Sequence, residues 1–391
     1  MRVFVWQTLV LIGLSPGCLF GLGIRIADQD PFATARGNAF AATADNPSAI
    51  YYNPAGITQL EGQNASYSIY AIYLNSHYTS ASGTEVDTKD EIQAIPHLYY
   101  TYSMKEWPLT LGVGVYSPYG LGLEWPVNGP FNALATEGRI IYFTANPVAA
   151  VKLCSSLSVA AGVTINYSQA QLKRGLGFAP GEFKFKGDDL DVGYNVGIFW
   201  HPYPRHTFGV NYRSATTMEF SGHAEIPNYR EDASARFRFP QNIIVGWSFR
   251  PTTNWNFEVN VDWTDWDDLD TVSLNAGPLL SGPVAFNWRS SFFYEFGATY
   301  FFENDFHLSG GYIFSENSVP QTSDAFPAVP DSDRHIFSVG IGRRYRRLSW
   351  DAAYQLAYGP RRSVNGTRFA LADGRYEFIS HALNLSIGYV F

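Results

Sequence analysis

The side chains with the clearest scope for chemistry in this chain are apolar. Leu121, Leu123, Trp125, Phe131 and Leu134, together with Pro126 and Val127, crowd a connecting segment between residues 119 and 138. A loop of that composition either packs over its neighbours or forms a landing groove for an apolar molecule, because exposed apolar patches mark interaction surfaces. Leu279, Leu280, Val284 and Phe286 give weaker support to the same reading, as do Val319, Phe326 and Val329. Arg139, Lys152, Arg213 and Arg236 are candidates to hold a carboxylate beside an apolar pocket, and nothing in the sequence chooses among them. Bond-making chemistry has little support. The eight histidines fall in no serine-containing constellation of nucleophile, base and orienting group. Asp265, Asp267, Asp268 and Asp270 carry donor oxygens for a divalent ion but read first as solvated loop acids. The expectation is a protein that is not an enzyme and uses no cofactor or metal.

The elements that would position these residues are strands. The last nine residues place Leu383, Leu385, Ile387, Tyr389 and Phe391 on one face and Asn384, Ser386 and Gly388 on the other. Strict period-two alternation describes a strand facing two different solvents. An apolar strand at a chain end is a hazard in a soluble sheet, whereas a closed transmembrane barrel needs one to seal its last edge to its first. Phe391 is also the expected contact for the barrel-assembly machinery. Aromatics and charged residues each make up 16% of the chain, against about 25% charged in average soluble proteins. No stretch after residue 21 approaches the ~20 apolar residues of a membrane helix. The net charge of −8 argues against nucleic acid as a partner.

Alternating or β-rich segments occur near 63–76, 92–104, 109–118, 139–152, 157–170, 188–200 and 206–220, then near 236–249, 254–265, 286–302, 305–315, 335–345, 347–358 and 376–391. They predict an all-β transmembrane antiparallel barrel of about fourteen strands, an even number that returns both ends to one side. The connectors alternate between short and long. The short set should face the periplasm and the long set the outside. In Trp255 to Trp263, aromatic and β-branched residues alternate with Asn, Glu and Asp, setting a lipid-facing row against a wet lumen. A closed barrel needs no partner subunit, so a monomer embedded in outer-membrane lipid is expected.

Residues 1–21 read as a secretory signal, with Arg2 ahead of an apolar core and cleavage somewhere from 17 to 23. If Cys18 leaves with it, Cys154 stands alone and no intramolecular disulfide can form. Residues 22–61 lack strand periodicity. Asp45-Asn46-Pro47 and Asn53-Pro54-Ala55-Gly56 are turn and helix-start signals, with Asn53 placed to cap through its side chain. Short helical pieces joined by tight turns favour a plug inside the barrel over a dangling tail. Residues 62–391 form the wall.

The stretch from Asn38 to Gly56, with its Asn-Pro-Ala core at Asn53, Pro54 and Ala55, resembles the plug segment of the outer-membrane long-chain fatty-acid transporter family of FadL type. Further similarities run along the chain, at Asn146-Pro147-Val148, Tyr212-Arg213-Ser214, Phe239-Pro240, Trp263-Thr264-Asp265-Trp266 and Pro330 to Arg334. The resemblance implies a fourteen-stranded barrel closed by an N-terminal plug; read from the residues themselves, Asn53, Pro54, Ala55 and Gly56 should set the geometry of that plug and, with Asp45, which could pair with lumen charges, are the candidates for gating. The resemblance also implies capture of a hydrophobic ligand at the extracellular loops, passage to an internal pocket and exit through a gap in the wall. Fatty acids and aromatic hydrocarbons are the ligand classes it suggests. The charge at Arg25 departs from the family pattern and puts ligand contacts by that segment in question. A wall kink is expected at 112–118, where Gly112, Gly114 and Pro118 weaken the ladder. The competing readings are a general diffusion porin for small polar solutes, which wants an open charged eyelet, and a structural or adhesive barrel.

Overall fold

A computed structural model describes residues 24–176, 180–319, 332–367 and 370–391. The signal segment expected at 1–21 lies outside them, as do Phe326, Val329 and the side chain of Leu279. The wall is built from β1 (Gln63–Ser80), β2 (Ile92–Ser103), β3 (Leu109–Tyr116, resuming as Gly120–Glu124), β4 (Glu137–Cys154), β5 (Leu157–Gly175), β6 (Glu182–Tyr203) and β7 (His206–Arg213, resuming as Thr216–Ile226). It continues with β8 (Tyr229–Phe239, resuming as Asn242–Phe249), β9 (Trp255–Thr264), β10 (Ser291–Phe301), β11 (Phe306–Ser315), β12 (Arg334–Tyr345), β13 (Leu348–Val364) and β14 (Gly374–Val390). Among the described residues these close a fourteen-stranded antiparallel barrel. The seal is β1 against β14, paired continuously from Asn64↔Val390 to Ser80↔Gly374.

Alternation in the sequence becomes a two-faced wall because successive strand side chains point to opposite sides. Along β6, Leu190, Val192, Tyr194, Val196 and Ile198 are exposed on the outer face, while Asn195 is fully buried on the inner one. The outer face suits hydrocarbon. Several strands run further than their alternation suggests. β5 and β6 extend to Gly175 and back to Glu182, reducing the 171–187 connector to a tip, because cross-strand pairing continues past the apolar rows. The segment expected as a strand from 286 begins only at Ser291.

Residues 24–60 lie within this wall. They form two short helices, α1 (Pro31–Ala35) and α2 (Ala49–Tyr52), then a 3-10 turn over Pro54–Gln59. Phe32, Phe40, Ile50, Tyr51, Tyr52 and Ile57 bury one another and pack on Tyr99, Tyr116 and Val148 of the wall. Strands from all around the barrel reach this segment by hydrogen bonds. Asn384 of β14 donates to Thr34 at 3.1 Å, Asn211 of β7 to the Tyr51 carbonyl at 3.1 Å and Gln355 of β13 to Asp28 at 2.9 Å.

The interior therefore has two zones. Toward the short turns, the inward row is polar, with Asn195, Asn211, Asn256, Glu258, Asn260 and Asp262 all buried. Toward the long loops it becomes aromatic, with Tyr142, Phe183, Phe185, Phe220, Phe237 and Phe239 buried in one apolar cluster.

Candidate functional site

The aromatic zone encloses a cavity of about 410 Å³. Phe183 and Phe185 of β6, Phe220 of β7 and Phe237 of β8 supply its wall from the inward phase of neighbouring strands. Leu121 and Leu134 come from the 119–138 stretch, and Leu280, Val284, Phe286 and Trp288 from the connector after β9. Ile24 lines it from the N-terminal segment. Its size falls within the ~300–1,000 Å³ of small-molecule sites, and a mostly apolar lining with a few polar groups matches them too.

The polar side chains on the lining are Arg139, Gln171, Arg174 and Ser281. Arg139 already faces two acids, with Glu137 at 3.5 Å and Glu91 at 3.8 Å, and Glu137 is shared with Lys173 at 2.5 Å. Arg174 stacks 5.1 Å from the Phe183 ring, and among the described residues no carboxylate lies within ion-pair distance of it. A guanidinium held at the edge of an apolar cavity can take a ligand carboxylate.

Of the apolar residues singled out in the sequence, Leu121 and Leu134 of the 119–138 stretch reach the cavity, as do Leu280, Val284 and Phe286. Leu123, Trp125 and Phe131 do not line it. Trp125 packs on Phe131 at 4.8 Å, and Phe131 packs on Tyr78 of β1 at 4.6 Å, so they form the aromatic block that seats the loop on the rim. Among the four cations proposed for a carboxylate, only Arg139 borders the cavity. Lys152 and Arg236 are exposed, and Arg213 is buried in the polar zone, donating to the Tyr51 carbonyl at 3.0 Å. Asp265 and Asp267 accept hydrogen bonds from Ser290, and Asp268 pairs with Arg238 at 2.9 Å.

Beneath the cavity, the chain stretch Ile24-Arg25-Ile26 pairs with the middle of β3. Ile26 N–H donates to the Pro118 carbonyl and Gly120 N–H to the Ile24 carbonyl, each at 2.8 Å. Arg25 anchors it across the barrel, donating to Asp262 of β9 at 2.6 and 2.8 Å and to Thr264 at 2.7 Å. Ile24 belongs to the aromatic cluster, whereas Ile26 packs with Tyr70, Ile72 and Ile95 behind the wall at β1 and β2.

That wall is interrupted. The β2–β3 ladder runs from Ser103↔Thr110 to Leu98↔Val115 and stops there, while β3 resumes at Gly120 with β4 as its ladder strand among the described residues. Among the described residues Ile92 to His97 therefore have ladder partners on β1 alone. Pro118 sits in the interruption and has no N–H to offer a ladder. Gly112 and Gly114 do not; the ladder passes through both without a break. They make room instead. A Cβ at Gly112 would lie 2.9 Å from Ile50, and one at Gly114 would lie 2.9 Å from Tyr99 and 3.0 Å from Ile50. A second irregularity, between β6 and β7, is bridged by side chains: Asp191 accepts from Thr217 N–H and Asp189 from Glu219 N–H, both at 2.6 Å. The interruption beside Pro118 is spanned at its level by the N-terminal pairing, and nearer the loops Lys89, just ahead of β2, reaches the resumed β3: its N–H donates to the Glu124 carbonyl at 2.9 Å and its ammonium pairs with the Glu124 carboxylate.

The remaining positions lie toward the short-turn end. The Asn53 side chain accepts from Ala55 N–H at 3.2 Å, capping the turn that Pro54 begins, and donates to the carbonyls of Ala41 at 2.8 Å and Ile198 of β6 at 2.9 Å. It ties the segment to itself and to the wall. Ala55 is fully buried, and a Cβ at Gly56 would overlap Ala44. Asp45 lies between Arg344 at 3.2 Å and Arg250 at 3.5 Å. Burial pushes its pKa up, but the two guanidinium groups outweigh this and hold it at about 2.

The family model described as outer membrane protein transport protein (OMPP1/FadL/TodX) matches residues 21–389. The long-chain fatty acid transport protein of Escherichia coli O6:H1 is 20% identical, the alignment covering 77% of this chain and 78% of that one. Among solved structures, a Pseudomonas aeruginosa FadL homologue superimposes with a TM-score of 0.85 at 17% identity, over 94% of this chain and 99% of its own. The Ralstonia pickettii toluene transporter TbuX does so with a TM-score of 0.73 at 15% identity, over 95% and 100%. These structures share the fold.

Proposed function

The chain belongs to the outer membrane transport protein family OMPP1/FadL/TodX, and on that premise we propose that it takes up long-chain fatty acids, or similar apolar acids, by passive diffusion across the outer membrane. Membership makes it an outer-membrane transport barrel. The observation that carries the finer reading is the apolar cavity of about 410 Å³ with Arg174 and Arg139 on its lining. The aromatic wall would bury an acyl chain, at roughly 25 cal/mol for each Å² removed from water, and Arg174 would meet the carboxylate. A neutral aromatic hydrocarbon would use the wall alone.

The route runs from the long-loop surface into the cavity, past Ile24 to Ile26, and sideways through the interruption between β2 and β3. Three facts support it: Ile24 faces the cavity, Ile26 faces an apolar patch behind the opening, and only a short stretch separates the two. In this reading the segment 22–61 is a plug, held by Asn53 to Gly56 and Asp45, which keeps polar solutes from crossing. Saturable binding of radiolabelled oleate to the detergent-purified protein tests the cavity, and toluene as competitor tests the substrate class. For the route, a bulky maleimide on Ile95→Cys, in a Cys154→Ser background, should stop oleate uptake while binding persists. Undiminished uptake would remove the opening from the path.

A further inference from the structure

Four arginines fall within five residues at the turn joining β12 to β13, in a chain of net charge −8. Arg344 points inward and is taken by Asp45 at 3.2 Å. Arg343, Arg346 and Arg347 are different: among the described residues no carboxylate lies within ion-pair distance of any of them. Aromatic rings hold two of them in place. Arg343 lies 4.8 Å from the Phe306 ring and 4.7 Å from that of Tyr345, and Arg346 lies 5.1 Å from Tyr345 on its own account. The Nε of Arg343 is buried and has no hydrogen-bond partner.

The surroundings specify what would satisfy these groups. Outward positions on β12 alternate through Phe337, Val339 and Ile341, which are 53%, 53% and 45% exposed, before reaching Arg343. Exposed Leu348 and Trp350 flank that row on β13. An apolar stripe ending in aromatic rings and guanidinium groups marks the boundary between hydrocarbon and headgroups. The turn is short and lies beside the C-terminus, where Val390 N–H donates to the Arg347 carbonyl at 2.8 Å, so it faces the periplasm. Arginine forks match phosphate oxygens bidentately.

We propose that Arg343, Arg346 and Arg347 form a binding site for the phosphate of an anionic phospholipid of the inner leaflet, with an acyl chain lying along Ile341 and Val339. The site is on the outer wall, away from the transport cavity, and does not rest on the proposed substrate.

Native mass spectrometry of the detergent-purified protein, titrated separately with phosphatidylglycerol and phosphatidylcholine, reads it directly. Phosphatidylglycerol should be retained at least about tenfold more tightly. Arg343→Ala with Arg346→Ala and Arg347→Ala should erase that preference, at about fivefold per arginine near a membrane surface. Arg343→Gln alone removes one charge and its ring contacts but leaves Arg346, Arg347 and the barrel ladder in place, and should cost about fivefold, so it answers the question if the triple variant fails to fold. Inorganic phosphate should leave the lipid bound. Equal retention of the two lipids, unchanged retention by the Gln variant, or displacement of the lipid by phosphate would each overturn the assignment.

Discussion

The two halves of the lumen are built from the same strands and the same alternation, yet one is lined by amides and acids and the other by phenylalanine. In β9, Asn256, Glu258, Asn260 and Asp262 face a chain segment and are buried against it. In β8 and β6, at the other end, Phe237, Phe183 and Phe185 face a cavity. The polar half has its hydrogen-bonding groups largely satisfied by residues 24–60, whereas the apolar half leaves a volume open. Strand periodicity builds a wall; the identity of the inward residue decides whether the wall holds protein or ligand.

The sharpest way to break this contrast is at the anchor between the halves. Asp262→Ala leaves the Arg25 guanidinium buried without its partner, which costs about 3–5 kcal/mol. A marked drop in the midpoint of heat-induced unfolding is expected, with sugar leakage in a liposome-swelling assay as residues 24–26 come free. Arg25→Leu combined with Asp262→Leu should recover much of the loss, and a wild-type midpoint in the single variant would mean the pair holds nothing.

Truncation in the other half should act on the ligand. Phe237→Ala is expected to weaken oleate binding roughly tenfold to a hundredfold, from ~1.5–3 kcal/mol for one buried aromatic side chain. Phe32→Ala, within the N-terminal segment, should lower stability and leave affinity alone. Equal effects of both on oleate titrations would erase the distinction between the zones.

Asn53→Ala removes a cap and leaves the Ala41 and Ile198 carbonyls short of a donor, at about 2 kcal/mol. The barrel should still form, and limited proteolysis should show a loosened segment; normal oleate uptake would argue against a gating role.

The smallest expected effect is that of pH at Asp45. Its pKa is held below the ordinary carboxylate value, at about 2. A depressed pKa contributes stability that is complete above about pH 4 and is lost as pH falls through about 2. Solvent at Arg250 and Arg344 limits this to about 1 kcal/mol. The difference in melting temperature between wild type and Asp45→Asn should be constant above pH 4 and shrink toward pH 2. A difference that grew on acidification would reverse the sign and exclude the pairing.

The wall is legible in the sequence because each strand carries its own alternation and each connector its own length. The Asn53 cap is legible for the same reason, since Asn, Pro and the capped N–H lie within three residues. The cavity is not. Phe183 and Phe185 alternate with charged neighbours just as the lipid-facing rows alternate with polar ones, and period two alone cannot tell inside from outside. Their convergence with Phe237, some fifty residues on, and with Trp288, about a hundred residues on, depends on how distant strands and loops meet in the barrel. Gly112 and Gly114 show the same limit. As sequence they suggest a weak wall, but the partner that requires them, Ile50, is some sixty residues away in the chain. Pro118 signals its interruption locally, through its missing N–H.

The most direct test of the central claim, that the aromatic half of the lumen is a ligand chamber, is equilibrium binding of radiolabelled oleate to wild-type and Phe237→Ala protein, with sugar flux followed alongside. The account predicts saturable binding to the wild type, weaker binding to the variant and no sugar flux through the wild type. Sugar flux without oleate binding, or binding that ignores the loss of Phe237, would contradict it.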